Sequence, residues 1–504
     1  MNKGRWLSKM EELFGADLRS LAALRIGVAV MLLADLYVHA TNLRAHFTDW
    51  GILPRYALFQ KFSHPWVVSV HFMSGELWVQ ALLFAIHAIF AGLLLVGYRT
   101  RLATFVSWFL LVSLQARNPL AMQGSDVLHR MLLFWGLFLP WGAKFSVDAA
   151  CDSSRAKHPV RVLCVGTMGY LAQVVIMYVF SGLLKTGVPW KDGTAIYYAL
   201  NIDQFTTPFG RSLLAFPNLL HFLSLAVRRL ELWGPWLFFI PVFIGPIRTL
   251  TVAAFCFLQI GFGICLTVGE FYWIAQVAML GFLPSWFWDR VALPLAERMP
   301  LRRSLPFRDI PWLRPRPLRV YSGPVENFLA AFFALYVLFW NLGMLEPSER
   351  WVPKKLEWLG VSLGLEQSWN MFAPTPLMED GWYVIPARLR DGRVVDLFKN
   401  GQSLRWEKPK RVSAMYKDQR WRKYFSTICA KYYADYRLYY AQYLCREWNE
   451  RHEAPAQVME FEINFMLETT LPNYQKPRVE KLSLWYHYCF DVPGKSSEVT
   501  RAKL

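Results

Sequence analysis

Mostly apolar runs alternate along this chain with shorter stretches that gather arginine, lysine, proline and glycine. Nine of the runs, at roughly 20–40, 76–97, 101–116, 127–142, 161–184, 231–247, 249–268, 271–288 and 325–343, approach the length needed to cross about 30 Å of hydrocarbon. The pattern therefore predicts an all-α polytopic membrane bundle of about nine spans over residues 1–343. The third and fourth runs are short, and 212–230, which contains Arg228 and Arg229, reads as an amphipathic helix lying on the surface. Basic residues in short loops set the orientation. Tyr98-Arg99-Thr100-Arg101, the stretch holding Lys144, Arg155, Lys157 and Arg161, and the eight arginines of 290–319 fall on one side under a nine-span count. That side is expected to be the cytoplasm, together with the basic N-terminus. The segments 41–75, 117–126 and 185–230, and everything after Gly343, are then expected outside.

After a linker at 344–352 the period changes. Met459, Phe461, Ile463 and Phe465 alternate with Glu460, Glu462 and Asn464, the pattern of a half-buried strand, and Trp382-Tyr383-Val384-Ile385 is also strand-like. Arg390-Asp391-Gly392-Arg393 reads as a hairpin turn, and 411–452 reads as helix. Residues 344–504 are thus expected to form a smaller exported mixed α/β domain.

Composition strengthens the membrane reading. Among 504 residues, 54% are hydrophobic and only 18% charged, with a mean hydropathy of +0.21. This excludes intrinsic disorder and a fibrous repeat. The net charge of +18 is concentrated in loops, which suits anionic lipid headgroups better than nucleic acid, so the expected partner is the lipid bilayer. No signal-peptide pattern precedes the first run. The seven cysteines form no C-x-x-C pair and no histidine cluster has zinc spacing, so no metal site is expected. Cys429, Cys445 and Cys489 either form one disulfide and leave one thiol, or pack as three small hydrophobes.

Ionisable residues within apolar runs need partners or a function. Asp35 and His39 lie four apart, on one helical face. Arg117, Asn118, Asp126, His129 and Arg130 crowd one span entrance, with Asp126 and Arg130 at ion-pair spacing. Both sets read as structural pairing, with a polar cavity as the alternative for the second. The fifth run ends with Tyr178, Ser181 and Lys185 on one face. A lysine desolvated there can act as a base near neutral pH; the alternative is a lysine that snorkels to the outer interface.

Several segments occur in a telling order: Leu24-Arg25-Ile26-Gly27 with Asp35, Phe47-Thr48-Asp49-Trp50-Gly51-Ile52-Leu53-Pro54, Gly97-Tyr98-Arg99-Thr100-Arg101, Arg117-Asn118-Pro119, Phe145-Ser146-Val147-Asp148, and Ser181-Gly182-Leu183-Leu184-Lys185-Thr186 before Trp190. Over about residues 15–290 the set resembles the horizontally transferred transmembrane (HTTM) domain family, the membrane domain shared by vitamin K-dependent γ-glutamyl carboxylase and many bacterial proteins. The tail is similar to that of bacterial members through Gln367-Ser368-Trp369-Asn370-Met371-Phe372-Ala373-Pro374 and the Asp391-Gly392-Arg393 turn. The resemblance implies a quinol-driven enzyme that modifies an exported protein or peptide. Its cofactor would be reduced vitamin K or menaquinone, Lys185 would be the base, and Tyr178 and Ser181 would line its face. It also implies a bacterial inner membrane. Gly142-Ala143-Lys144 and Gln259 stand where the resemblance would place histidines. The rival expectation is a non-enzymatic assembly or maturation factor that shares the fold.

Overall fold

A computed structural model describes residues 3–62, 64–153, 158–294, 317–346 and 348–490, with side-chain surroundings described from residue 8 onward. Most of the 290–319 arginine run lies outside these residues.

Among the described residues, five helices are long and apolar enough to cross a membrane: Leu18–Ala40 (α1), Leu77–Val96 (α2), Val165–Leu184 (α5), Ile244–Cys265 (α7) and Pro324–Leu345 (α9). Between them lie Thr100–Arg117 (α3), Gly124–Gly136 (α4), Pro217–Trp233 (α6) and Phe271–Leu280 (α8). Length and composition thus single out five spans where the sequence pattern suggested nine. A sixth is counted if the pair Pro208–Ala215 and Pro217–Phe239, bent by 113°, is one broken span.

One expectation needs correction. The run at 231–247 is not a helix: α6 ends at Trp233, a 3-10 turn follows over Gly234–Phe239, and α7 begins at Ile244. Pro235 and Pro241 each remove a backbone donor in this stretch, which stops an α-helix from continuing. The 212–230 segment holds most of α6, which buries one face. Leu220, Ser224, Val227 and Glu231 of α6 are buried, and this stripe packs against α5.

At one end of the bundle, Arg19 pairs with Asp289 at 2.7 Å, Arg101 pairs with Glu326 at 3.0 Å, and Asp148 accepts the backbone N–H groups of Arg99 and Thr100. Gly97 ends α2 at φ +69°, a conformation that glycine adopts without steric cost. A Cβ there would lie 1.5 Å from a guanidinium nitrogen of the buried Arg25. At the other end, Asn42 donates to Asp418 at 2.6 Å and the Gly187 N–H donates to the Pro374 carbonyl at 3.0 Å.

The C-terminal sheet has five antiparallel strands: Glu379–Val384 (β1), Pro386–Leu389 (β2), Val394–Asp396 (β3), Val458–Thr469 (β4) and Arg478–Tyr488 (β5). The long β4 pairs with β5 on one edge and with β1 and then β2 on the other, while β3 closes a hairpin with β2. Phe461, Ile463 and Phe465 are buried, as their alternation predicted, although a bulge at Ile463/Asn464 also buries Asn464. The stretch 411–452, expected to be helical, holds two α-helices, Gln419–Cys429 (α10) and Arg437–Asn449 (α11). Ala430 is extended, and the 3-10 turn Lys431–Tyr436 turns its tyrosines toward Lys61.

Neither half packs alone. Val352, Leu365 and Trp369 belong to the core of the helix bundle, whereas Ile52, Leu53 and Leu120 belong to the core of the sheet. Cys445 of α11 is disulfide-bonded to Cys489 beyond β5, which leaves Cys429 as a thiol. The bond joins residues 44 apart, and a loop of that size stabilises a fold by about 3–4 kcal/mol through the entropy of the unfolded chain. The Cys445→Ser/Cys489→Ser variant is expected to unfold earlier in guanidinium by that amount. Equal midpoints under oxidising conditions would show that the bond adds nothing.

Candidate functional site

The apolar stripe of α5 carries the chain to the C-terminal domain, where Lys185 is the first residue past the helix. Its side chain does not reach free solvent: Lys185 is 2% exposed, which removes the snorkelling alternative. The ammonium donates to Glu231 Oε2 at 2.5 Å and to Ser181 Oγ at 2.8 Å, and it lies 5.0 Å from the centre of the Trp190 ring. Glu231, at the last turn of α6, is 4% exposed. Trp190 is held in place by its indole N–H, which donates to the Phe372 carbonyl at 2.8 Å.

This pair opens onto a cavity of about 810 Å³ with mostly apolar walls, formed by α6, α7, the loop before α6, the 370–377 strap and α10. Tyr178 lines it and accepts a hydrogen bond at 3.0 Å from Gln259 Nε2. Gln259 Oε1, also in the wall, is buried without a donor among the described residues. Of the three residues expected at the site, Lys185 and Tyr178 face the cavity. Ser181 stands behind Lys185 and fixes its amine. Glu231 escaped the sequence reading because the residue it serves is 46 positions away; the buried spacing Leu220, Ser224, Val227, Glu231 was the available signal.

The arrangement can exchange a proton. An ammonium that donates to a carboxylate is not itself a base, but the carboxylate is, and Lys185 can stabilise negative charge formed beside it. Both side chains are buried, so solvent screens this interaction little.

A second buried polar cluster lies beside the cavity. Arg420 of α10 reaches between α1 and α4, donating to both oxygens of Asp126 at 2.5 and 2.6 Å and to Asp35 at 2.5 Å. The spacing-based pairing of Asp126 with Arg130 is therefore corrected, since the planar guanidinium of Arg420 matches a carboxylate in two places. Arg130 instead reaches Gln115 and the Glu366 carbonyl. Arg117 bonds the carbonyls of Leu53 and Thr48, Asn118 that of His46, and His129 that of Val28, so this group holds loops and helices together. Asp35, His39 and Asp126 lie close enough to hold a metal ion, but the Arg420 guanidinium occupies the position between the two carboxylates. Glu270, in the loop before α8, lies near Asp35; burial, reinforced by the charge of Asp35, pushes its carboxyl upward. One guanidinium thus joins both Asp35 and Asp126.

No protein-family model, curated protein or solved structure matches the chain.

Proposed function

We propose that the protein is a quinol-dependent membrane enzyme of the carboxylase-like type, with the Lys185–Glu231 pair as its base. The observation that carries this reading is an 810 Å³ apolar cavity ending on a buried ion pair. Its size suits a ring with part of an isoprenoid tail, within the roughly 300–1,000 Å³ usual for ligand sites. The residues present fit a quinol head: Gln259 Oε1 needs a donor, and Glu231 can accept a proton. A bound quinol supplies reducing power that its oxygenation releases. With a quinol bound, Glu231 would accept a proton, Lys185 would favour negative charge beside it, and Tyr178 and Gln259 would orient the ring. An amide at Gln259 cannot relay a proton as an imidazole would, so the proton leaves through the Lys185–Glu231 pair.

The topology completes the reading. Among the described residues the helices α1 to α9, five of them long and apolar enough to cross a membrane, fit a bundle with the arginine-bearing loops at one end and the C-terminal domain at the other. This supports nine crossings, some of them short, with that domain outside and presenting an exported protein or peptide. The Cys445–Cys489 disulfide also suits an oxidising compartment outside a bacterial inner membrane. A non-enzymatic assembly factor is the second reading, favoured by the close pairing of Lys185 with Glu231, which also serves to join α5 to α6.

The test is menaquinol oxidation by purified full-length protein supplied with oxygen and bicarbonate. Turnover above the protein-free rate is expected. Folded protein that gives none moves the reading to the assembly factor.

A further inference from the structure

The charges facing the cavity do not cancel. Lys185 and Glu231 neutralise each other, but α10 adds two more cations, Arg422 and Lys423. Neither has a carboxylate at ion-pair distance among the described residues. Asp380 and Asp126 reach them only at longer range, and both are already engaged, Asp380 by Gln204 and Asp126 by Arg420. Arg422 is 5% exposed; its guanidinium lies 4.0 Å from the centre of the Phe205 ring, and its Nε donates to Gln419 at 2.5 Å. Burial pushes this guanidinium down to about 10 and lowers the Lys423 ammonium as well. Two uncompensated cations against apolar walls are costly unless an anion joins them.

An uncharged quinol does not supply that anion. A carboxylate brings one negative charge, whereas a phosphate monoester brings about −1.5 to −2 and three acceptor oxygens, which matches a guanidinium beside an ammonium. The apolar remainder of the cavity, which the proposed quinol would also use, fits a hydrocarbon chain on the same molecule, so the two would bind in alternation. We propose that Arg422 and Lys423 form an anion subsite of this cavity, and that its ligand is a lipid with a phosphate-monoester head and an apolar chain.

Binding to the full-length protein in an uncharged detergent tests this, with farnesyl phosphate as the probe and farnesol, farnesoate and inorganic phosphate as comparisons. Farnesyl phosphate is expected to bind at least tenfold more tightly than farnesol or farnesoate. Lys423→Gln, which removes a side chain with no hydrogen-bond partner among the described residues, is expected to erase most of that margin. Arg422→Gln should do the same, and retained farnesol binding would show that either variant is folded. Equal binding of farnesol and farnesyl phosphate would overturn the proposal, as would a margin that survives both substitutions. Inorganic phosphate that displaces farnesyl phosphate at equal concentration would assign the subsite to the free ion and overturn the lipid. The readout is binding, so its failure and the absence of quinol turnover are separate results.

Discussion

Arg420→Met is expected to destabilise the protein by about 3–5 kcal/mol, the range for removing one partner of a buried ion pair. The cost comes less from the lost bonds than from what remains. Asp35 and Asp126 are 1% and 3% exposed, and without the guanidinium two carboxylates face each other where water does not reach. The loss should concentrate where α10 docks on α1 and α4, because Arg420 is the residue of α10 that joins both. Asp126→Asn in the Arg420→Met background removes one of the stranded charges and should recover part of the loss. Thermal unfolding in detergent, with limited proteolysis at the 344–352 segment, measures both effects. An Arg420→Met protein as stable and as protease-resistant as the wild type would show that the two halves are held together by their shared apolar cores alone.

How much of this was legible in the sequence depends on how far apart the partners lie. The apolar runs behind α1, α2, α5, α7 and α9 could be read directly, because a bilayer demands about twenty consecutive apolar residues whatever the rest of the chain does. The α6 region misled because its apolar content continues past Glu231 while its backbone does not: Pro235 and Pro241 end the helix before composition changes. The strand at 458–465 was visible as alternation, since one face packs on the core. Pairings were not visible. Asp126 has a plausible partner four residues on at Arg130, but its actual partner is 294 residues away, and Asp35 bonds the same guanidinium across 385. Local spacing cannot find contacts that only the docking of one domain on another creates. The same limit hid Glu231, so Lys185 could be read as a lone lysine when it is half of a pair.

Lys185→Met and Glu231→Gln are each expected to lower menaquinol turnover by about 10²–10⁴-fold, the usual contribution of a positioned proton acceptor with its partner. Turnover alone does not separate chemistry from structure, because each single change leaves the other charge buried and unpaired. Lys185→Met exposes this most strongly: Glu231 loses its cation in an apolar wall, which disables it as acceptor even though the residue itself is intact. The double variant Lys185→Met/Glu231→Gln removes both charges. Its stability should return toward the wild-type value, since an ion pair replaced by neutral groups of similar volume is often tolerated. Its turnover should stay low, because no proton acceptor remains. Stability from thermal unfolding and rate from quinol oxidation, measured on the same four proteins, then diverge in a way that a purely structural pair cannot produce. If the double variant regains turnover along with stability, the pair joins α5 to α6 and the base lies elsewhere. If it regains stability and remains inactive, the proton passes through Glu231 under the charge of Lys185.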